Sequence, residues 1–373
     1  MNISGLAPDE LAELIAPLPR FRAAQIIKWI AAGVSSFKEM GNLPLPLREE
    51  LARRFTLRPN TEHAVFQGND GAVKLSIKFS DGAVIESVLL PGKPAGRLAA
   101  EGGLSTSDGL RRYTACLSTQ AGCPAACVFC KTGAQFLRNL DSSEIVEQFL
   151  LLKRVRTYGT RTVGKAGVAT TIGAGEGVVS NIVVMGMGEP LLNVTELRRA
   201  LAVITCPQGF NFSRKRITVS TCGITRGITD LAENGPMARL ALSLTAADEA
   251  LRRQLMPITA GQPLPKVKEA LRYYQERGGG RITLEAVLLG GINTRGEDAA
   301  AMAKFAEGLD VTVNLIPWNP VKGLQFQGKL LREPSISEVE TFTRHIEALG
   351  MNVTRRFRRG RGILGACGQL GNC

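Results

Sequence analysis

The chain has 373 residues, the length of one large domain or two smaller ones and far beyond that of a disulfide-stapled miniprotein. It is 44% hydrophobic and 21% charged, with no uninterrupted apolar stretch near the roughly 18 residues of a membrane span, so a soluble globular protein is expected. Forty-six Lys and Arg against 33 Asp and Glu leave a net charge of +13, a balance that suits a polyanionic partner, with nucleic acid ahead of an acidic membrane surface and a generally basic protein as the plain alternative.

The opening residues, MNISGLAPDELAELIAPLPRF, lack the basic start, apolar run and cleavage site of an export signal, which points to the cytoplasm. Residues 1–55 read as a small helical module. Within it FRAAQIIKWIAAG places Phe21, Ile26, Ile27, Trp29 and Ile30 on one apolar face. Residues 56–112 read as a β extension and linker. Alternating runs broken by NDG and SDG turns give a hairpin or meander over 62–90, and the Gly- and Ser-rich stretch 91–112 has no periodicity. Residues 113–373 form the core. Strands TACLSTQ, NIVVMG, KRITVST, ARLALSLT, RITLEAVLL, VTVNLIP and NVTRRF alternate with helices, which predicts parallel βαβ units in an open or closed barrel. Asp141 with Glu144 and Ser335 with Glu338 match helix capping boxes. A Gly-rich insertion over 156–180 interrupts the alternation.

CPAACVFC follows the first core strand and brings Cys123, Cys127 and Cys130 within eight residues. Three thiolates at that spacing can wrap one soft metal centre, either zinc or an iron-sulfur cluster. A structural zinc wants four ligands, and the only two histidines, His63 and His345, lie far away in sequence. A cubane cluster on three cysteines leaves one iron open to a small molecule. Cys206 and Cys222 read as core, Cys373 as a tail thiol. GRGILG near the end formally fits a dinucleotide fingerprint, but too few residues follow for the helix and acidic residue that motif requires.

The C-x-x-x-C-x-x-C loop after a barrel strand, with Phe129 before the last cysteine, resembles the radical S-adenosylmethionine enzymes. STQAGC, VVMGMGEPLLN, ITVSTCGI, LALSL, LMPI, NLIPWNP and ACGQL, together with the amino-terminal FRAAQIIKWI and EMGNLP, resemble the RlmN/Cfr family of RNA adenosine methyltransferases over most of the chain. The resemblance implies a partial (β/α)6 barrel, a small RNA-contacting helical module, a 4Fe-4S cluster on Cys123, Cys127 and Cys130, and S-adenosylmethionine held by Gly188, Glu189, Ser220, Ser243, Thr245 and Asn319.

It implies equally that Cys367 accepts a methyl group, that a radical then forms on that methyl and adds to the base, and that Cys116 releases the product by closing a transient disulfide with Cys367. Glu86 matches the proton acceptor. The expected reaction is methylation of adenosine carbon 2 in 23S ribosomal RNA, with transfer RNA as a second substrate class. The expected enzyme is a monomer reduced by a carrier such as flavodoxin or ferredoxin. Carbon 8, another radical substrate, and an RNA-binding protein whose cluster only braces the fold stand as alternatives.

By residue type alone, Glu86 on an alternating strand would face solvent, and Arg355, Arg356, Arg358, Arg359 and Arg361 would grip phosphates beside Cys367. The chain departs from the family where Thr245 replaces an imidazole in SLHAP and where Arg361 and Gly362 replace acidic residues.

Overall fold

The computed structural model describes residues 1–59, 61–92, 111–158, 160–163, 169–172, 177–355 and 359–371. Most of the expected 91–112 linker, much of the 156–180 insertion, and Arg356, Arg358 and Cys373 lie outside the described residues.

Helices Pro8–Leu14, Phe21–Ala32 and Leu45–Arg54 pack around Ile3, Leu11, Ile26, Ile27, Ile30 and Leu51 in a hydrophobic cluster of their own. Trp29 packs against that cluster from its edge. The expected face is wrong at Phe21, which is 56% exposed; as the first residue of its helix it points away from the cluster, and the Arg22 guanidinium stacks 4.8 Å from its ring centre. The cluster includes Cys206, which follows helix Val194–Thr205 of the core. Arg58 forms a buried ion pair with Glu147, and Arg199 Nε donates to Glu10 at 2.9 Å. A Cβ on Gly5 would sit 2.2 Å from the Ser143 amide nitrogen, so only glycine lets the amino-terminal segment lie on the start of helix Ser142–Tyr158.

Strands β1 (Thr61–Gln67), β2 (Val73–Phe79) and β3 (Val84–Pro91) form the expected meander. Its turns are built by Asp70 and Asp81, whose carboxylates accept from the amides of Ala72 and Ala83. The meander continues directly into the core. β3 pairs antiparallel with β4 (Arg112–Cys116), placing Val88 opposite Cys116. Behind β4 come the short hairpin strands β5 (Gln120–Gly122) and β6 (Phe136–Asn139), the pair β7 (Thr160–Val163) and β8 (Ala169–Ile172), and then β9 (Val178–Val184), β10 (Ile217–Thr221), β11 (Arg239–Ser243), β12 (Ile282–Leu288) and β13 (Val311–Pro317). A small hairpin, β14 (Gln325–Phe326) with β15 (Lys329–Leu330), precedes β16 (Val353–Arg355).

The sheet order β1-β2-β3-β4-β9-β10-β11-β12-β13-β16 is linear, with every pair from β4 onward parallel. This is an open, partial barrel. Its central strands are buried along most of their length, and they carry polar residues among the apolar ones, Ser220 and Thr221 in β10 and Glu285 in β12. Helices Ser142–Tyr158, Val194–Thr205, Thr225–Asn234, Leu264–Tyr274, Gly296–Ala306 and Ile336–Ala348 alternate with them. Both expected capping boxes form reciprocally. Glu144 N donates to Asp141 Oδ1 at 2.8 Å while Asp141 N donates to Glu144 Oε2 at 2.9 Å. Glu338 N and Ser335 N make the same exchange at the later helix.

Candidate active site

The cysteine loop is framed by the β5–β6 hairpin. Gly122 has φ +82°, and a Cβ there would lie 2.1 Å from the Gln135 carbonyl oxygen, so glycine is required for the loop to close. Cys123 N donates to Gln135 O at 2.8 Å, Cys130 N to Cys127 O at 3.1 Å, and the Trp318 indole to Phe129 O at 2.8 Å. These bonds turn all three thiols into one cavity of about 140 Å³. Burial pushes the Cys123 thiol up to about 12 and Cys127 well above the usual thiol range, with the neighbouring Cys130 and Glu189 charges adding to both. Among the described residues no three His, Cys, Asp or Glu groups are arranged as ligands of a single ion.

The same cavity is bordered by Gly188, Glu189, Ser220, Ser243, Thr245 and Asn319, which come from the carboxyl ends of three successive barrel strands, β9, β10 and β11, and the turn after β13. That is where barrel active sites lie. Gly188 has φ +108° and sits so close to Gln120 that a Cβ would approach its side chain to 2.7 Å. The buried Glu189 carboxylate accepts from Cys222 N at 2.8 Å and Leu191 N at 3.0 Å. Burial raises its affinity for a proton, and the Cys222 and Leu191 amides offset part of that rise.

Ser220 Oγ lies 3.1 Å from Ser243 Oγ and donates to Glu285 Oε2 at 3.2 Å. Two buried polar atoms, Thr245 Oγ1 and Asn319 Oδ1, have no partner in the protein. A buried orphan acceptor or hydroxyl costs about 1–3 kcal/mol, so a polar ligand in this cavity would relieve both. Thr245 also holds φ +57°, with its amide bonded to Glu285 O and its carbonyl to Asn293 Nδ2.

A second cavity of about 470 Å³ contains Cys116 together with the cations Lys215, Arg216, Arg239 and Arg359. Cys367, Asn319, Met185, Ile316 and Leu370 border both cavities. The exposed Cys367 is thus the thiol that faces both. Its segment is pinned along its length. Asn319 Nδ2 donates to Cys367 O at 3.1 Å, Lys131 N to Gly368 O at 2.9 Å, Gln369 Nε2 to Pro320 O at 3.0 Å and Thr132 Oγ1 to Leu370 O at 2.8 Å. No disulfide forms among the described cysteines, Cys116 and Cys367 included.

Glu86 corrects the expectation of a solvated face. It is buried, its Oε1 lies 2.6 Å from Lys74 Nζ, and its Oε2 accepts from Gly371 N at 2.7 Å. It lines neither cavity in this arrangement and sits beneath the carboxy-terminal segment instead. The arginine cluster is split. Arg359 borders the Cys116 cavity, the exposed Arg355 borders a third, shallower cavity of about 300 Å³, and Arg361 bonds to Glu333 at 3.2 Å.

Sequence reasoning missed Glu285, Arg252 and the strand-start cations Lys215, Arg216 and Arg239. A signal existed for Glu285, a single carboxylate inside the apolar run ITLEAVLL.

Residues 117–306 match the radical SAM superfamily, and residues 1–57 match the ribosomal RNA large subunit methyltransferase N-terminal domain. A protein of Treponema pallidum described as "Probable dual-specificity RNA methyltransferase RlmN" is 43% identical, covering 99% of this chain and 97% of its own. The "Dual-specificity RNA methyltransferase RlmN" of Lawsonia intracellularis is 38% identical over 99% and 96%. The chain belongs to the RlmN family of radical SAM RNA methyltransferases. A solved radical SAM methyltransferase from Sphaerobacter thermophilus shares its fold with a TM-score of 0.81 and 34% identity, each chain covered to 99%.

The cofactors of an RlmN-family enzyme are a 4Fe-4S cluster and S-adenosylmethionine, and the residues present fit both. Three half-buried thiols that border one cavity suit a thiolate-bound cluster. The adjoining carboxylate, hydroxyls and orphaned polar atoms suit a zwitterionic nucleoside. Among the described residues no helix of this RlmN-family chain is long and apolar enough to cross a membrane.

Proposed function

We propose that this enzyme methylates carbon 2 of adenosine in 23S ribosomal RNA and in transfer RNA, using Cys367 as a methyl carrier. The observation that carries the reading is the position of Cys367 on the border of both cavities. A carrier must reach a methyl donor on one side and a base on the other. Held by Cys123, Cys127 and Cys130 and by Gly188, Glu189, Ser220, Ser243, Thr245 and Asn319, the cluster and S-adenosylmethionine supply the methyl group and the radical that activates it.

The chain's own residues do the rest. Cys367 presents its methyl to the base in the larger cavity, where Lys215, Arg216, Arg239 and Arg359 balance the phosphates of the RNA. A carbon radical is needed because the ring carbon has no lone pair with which to attack an electrophilic methyl group. Glu86 takes the proton from that carbon once the Gly371 segment covering it lifts, and the adduct radical gives up its odd electron, for which a cluster held by Cys123, Cys127 and Cys130 would be the acceptor. Cys116, across the same cavity, then forms a transient disulfide with Cys367 and frees the methylated base.

The helical module of residues 1–55 contributes RNA contacts, with 56–112 as its connection to the 113–373 core. Reduction by a flavodoxin- or ferredoxin-type carrier, a monomeric state and a cytoplasmic location complete the reading.

Nucleoside mass spectrometry of 23S and transfer RNA, with and without the gene, tests the assignment. 2-Methyladenosine in both RNAs that disappears with the gene is the expected result. Its replacement by 8-methyladenosine would move the target to carbon 8, and unchanged methyladenosines in both RNAs would refute the proposal.

A further inference from the structure

Arg252 is among the largest fully buried side chains in the molecule, only 1% exposed. Among the described residues it forms no ion pair with a carboxylate. Its Nη2 donates to Cys222 O at 2.6 Å and its Nη1 reaches Gln262 O at 3.5 Å, while its Nε has no partner. A guanidinium removed from water without a counter-charge is costly, and the cost is met only where negative charge lies close by.

The helix that carries it, Glu249–Leu255, is bonded to the cysteine loop itself, since Val128 N donates to Leu255 O at 3.0 Å. Met256, the next residue, borders the cavity into which the three thiols turn, and so does Cys222. The acidic groups that bear on Arg252 are Cys222, Glu249 and Cys127, and burial holds both thiols well above their usual range. Glu189, whose carboxylate accepts from Cys222 N at 2.8 Å, adds a further acidic group to that cavity. Acidic side chains and the three cysteines of the CPAACVFC loop therefore border this cavity, and Arg252 is the buried cation behind it.

We propose that Arg252 is the built-in counter-charge of the iron-sulfur cluster and sets its reduction potential. The proposal rests on Cys123, Cys127 and Cys130 holding that cluster. Bound by three thiolates, a 4Fe-4S centre carries one net negative charge when oxidised and two after gaining an electron from a low-potential one-electron donor. A fixed cation stabilises the second state more than the first, and low dielectric strengthens the difference. Arg252 thus makes the electron easier to accept, while Glu189 acts in the opposite sense. A role as a mere clamp on the Cys222 and Gln262 carbonyls would leave the potential unchanged.

The test is a redox titration of the full-length protein, reconstituted without oxygen and without S-adenosylmethionine. It is followed by electron paramagnetic resonance, with iron and sulfide content measured alongside. Arg252→Gln is expected to weaken reduction about tenfold, which at 59 mV per decade for one electron is a shift of about 60 mV to more negative potential. Arg252→Lys, which keeps the charge, is expected to recover most of that shift. Arg253→Gln, one residue along on the exposed face, is expected to match the wild type.

A fully loaded Arg252→Gln protein with unchanged potential would overturn the proposal. If that variant fails to load, Arg252→Lys decides. A loaded cluster near the wild-type potential supports the charge, and a tenfold loss despite the retained charge refutes it. A wild-type protein that holds no cluster would instead count against the three-cysteine reading on which the proposal rests.

Discussion

Cys367→Ala is expected to abolish RNA methylation, by at least about a thousandfold, the scale seen when an enzyme loses its covalent nucleophile. No other thiol replaces it. Cys116 borders only the larger cavity, the buried Cys222 borders only the smaller one, and Cys123, Cys127 and Cys130 are the proposed ligands of the cluster. The fold should be unaffected, because Cys367 is exposed and the bonds that pin its segment are made by its carbonyl and by its neighbours. A surface substitution of this kind changes stability by about 0.5 kcal/mol or less. Iron content should therefore be normal, and reductive cleavage of S-adenosylmethionine should continue without methyl transfer. Transfer of a labelled methyl group to RNA, with deoxyadenosine counted in the same reaction, separates the two activities. Methylation at the wild-type rate by this variant would show that the methyl does not pass through Cys367.

Cys116→Ala is expected to stop the reaction one stage later, with RNA covalently bound to Cys367. Breaking the sulfur-carbon bond of that adduct requires a second thiol to take the sulfur while the electron pair returns to the base. Cys116 is the thiol that borders the cavity with Cys367. It is buried at the end of β4 opposite Val88. Removing one sulfur there leaves a small void costing about 1 kcal/mol, too little to unfold a domain of this size. A protein-RNA species that survives denaturation and yields a nucleotide-bearing Cys367 peptide after nuclease digestion is the result to look for. Multiple turnovers by the variant would remove Cys116 from the mechanism.

The parts of this enzyme that were legible in its sequence are those written locally. The strand and helix alternation follows from hydrophobic period, and the caps at Asp141 and Ser335 follow from residues three positions apart. The three cysteines lie within one short loop, and all three border the same cavity. The six residues expected to hold S-adenosylmethionine follow from family motifs, and all six border the same cavity. What was not legible depends on partners distant in sequence. Glu86 looks like a solvated strand residue until Lys74, on the neighbouring strand, and Gly371, from the far end of the chain, bury it. Phe21 fits the helix period yet faces outward, because periodicity cannot say where a cluster ends. Arg252, in the polar stretch EALRRQL, looks like one of two surface arginines, and only the fold sends it inward and its neighbour outward.

The central claim is that Cys367 carries the methyl group, and peptide mass spectrometry tests it most directly. The protein should be produced with its cluster, isolated without oxygen, and digested so that the ACGQL segment can be read. A single methylation on Cys367, lost in a variant lacking Cys123, Cys127 and Cys130, is the predicted result. An unmodified Cys367 in protein with a full complement of iron and added S-adenosylmethionine would contradict the account.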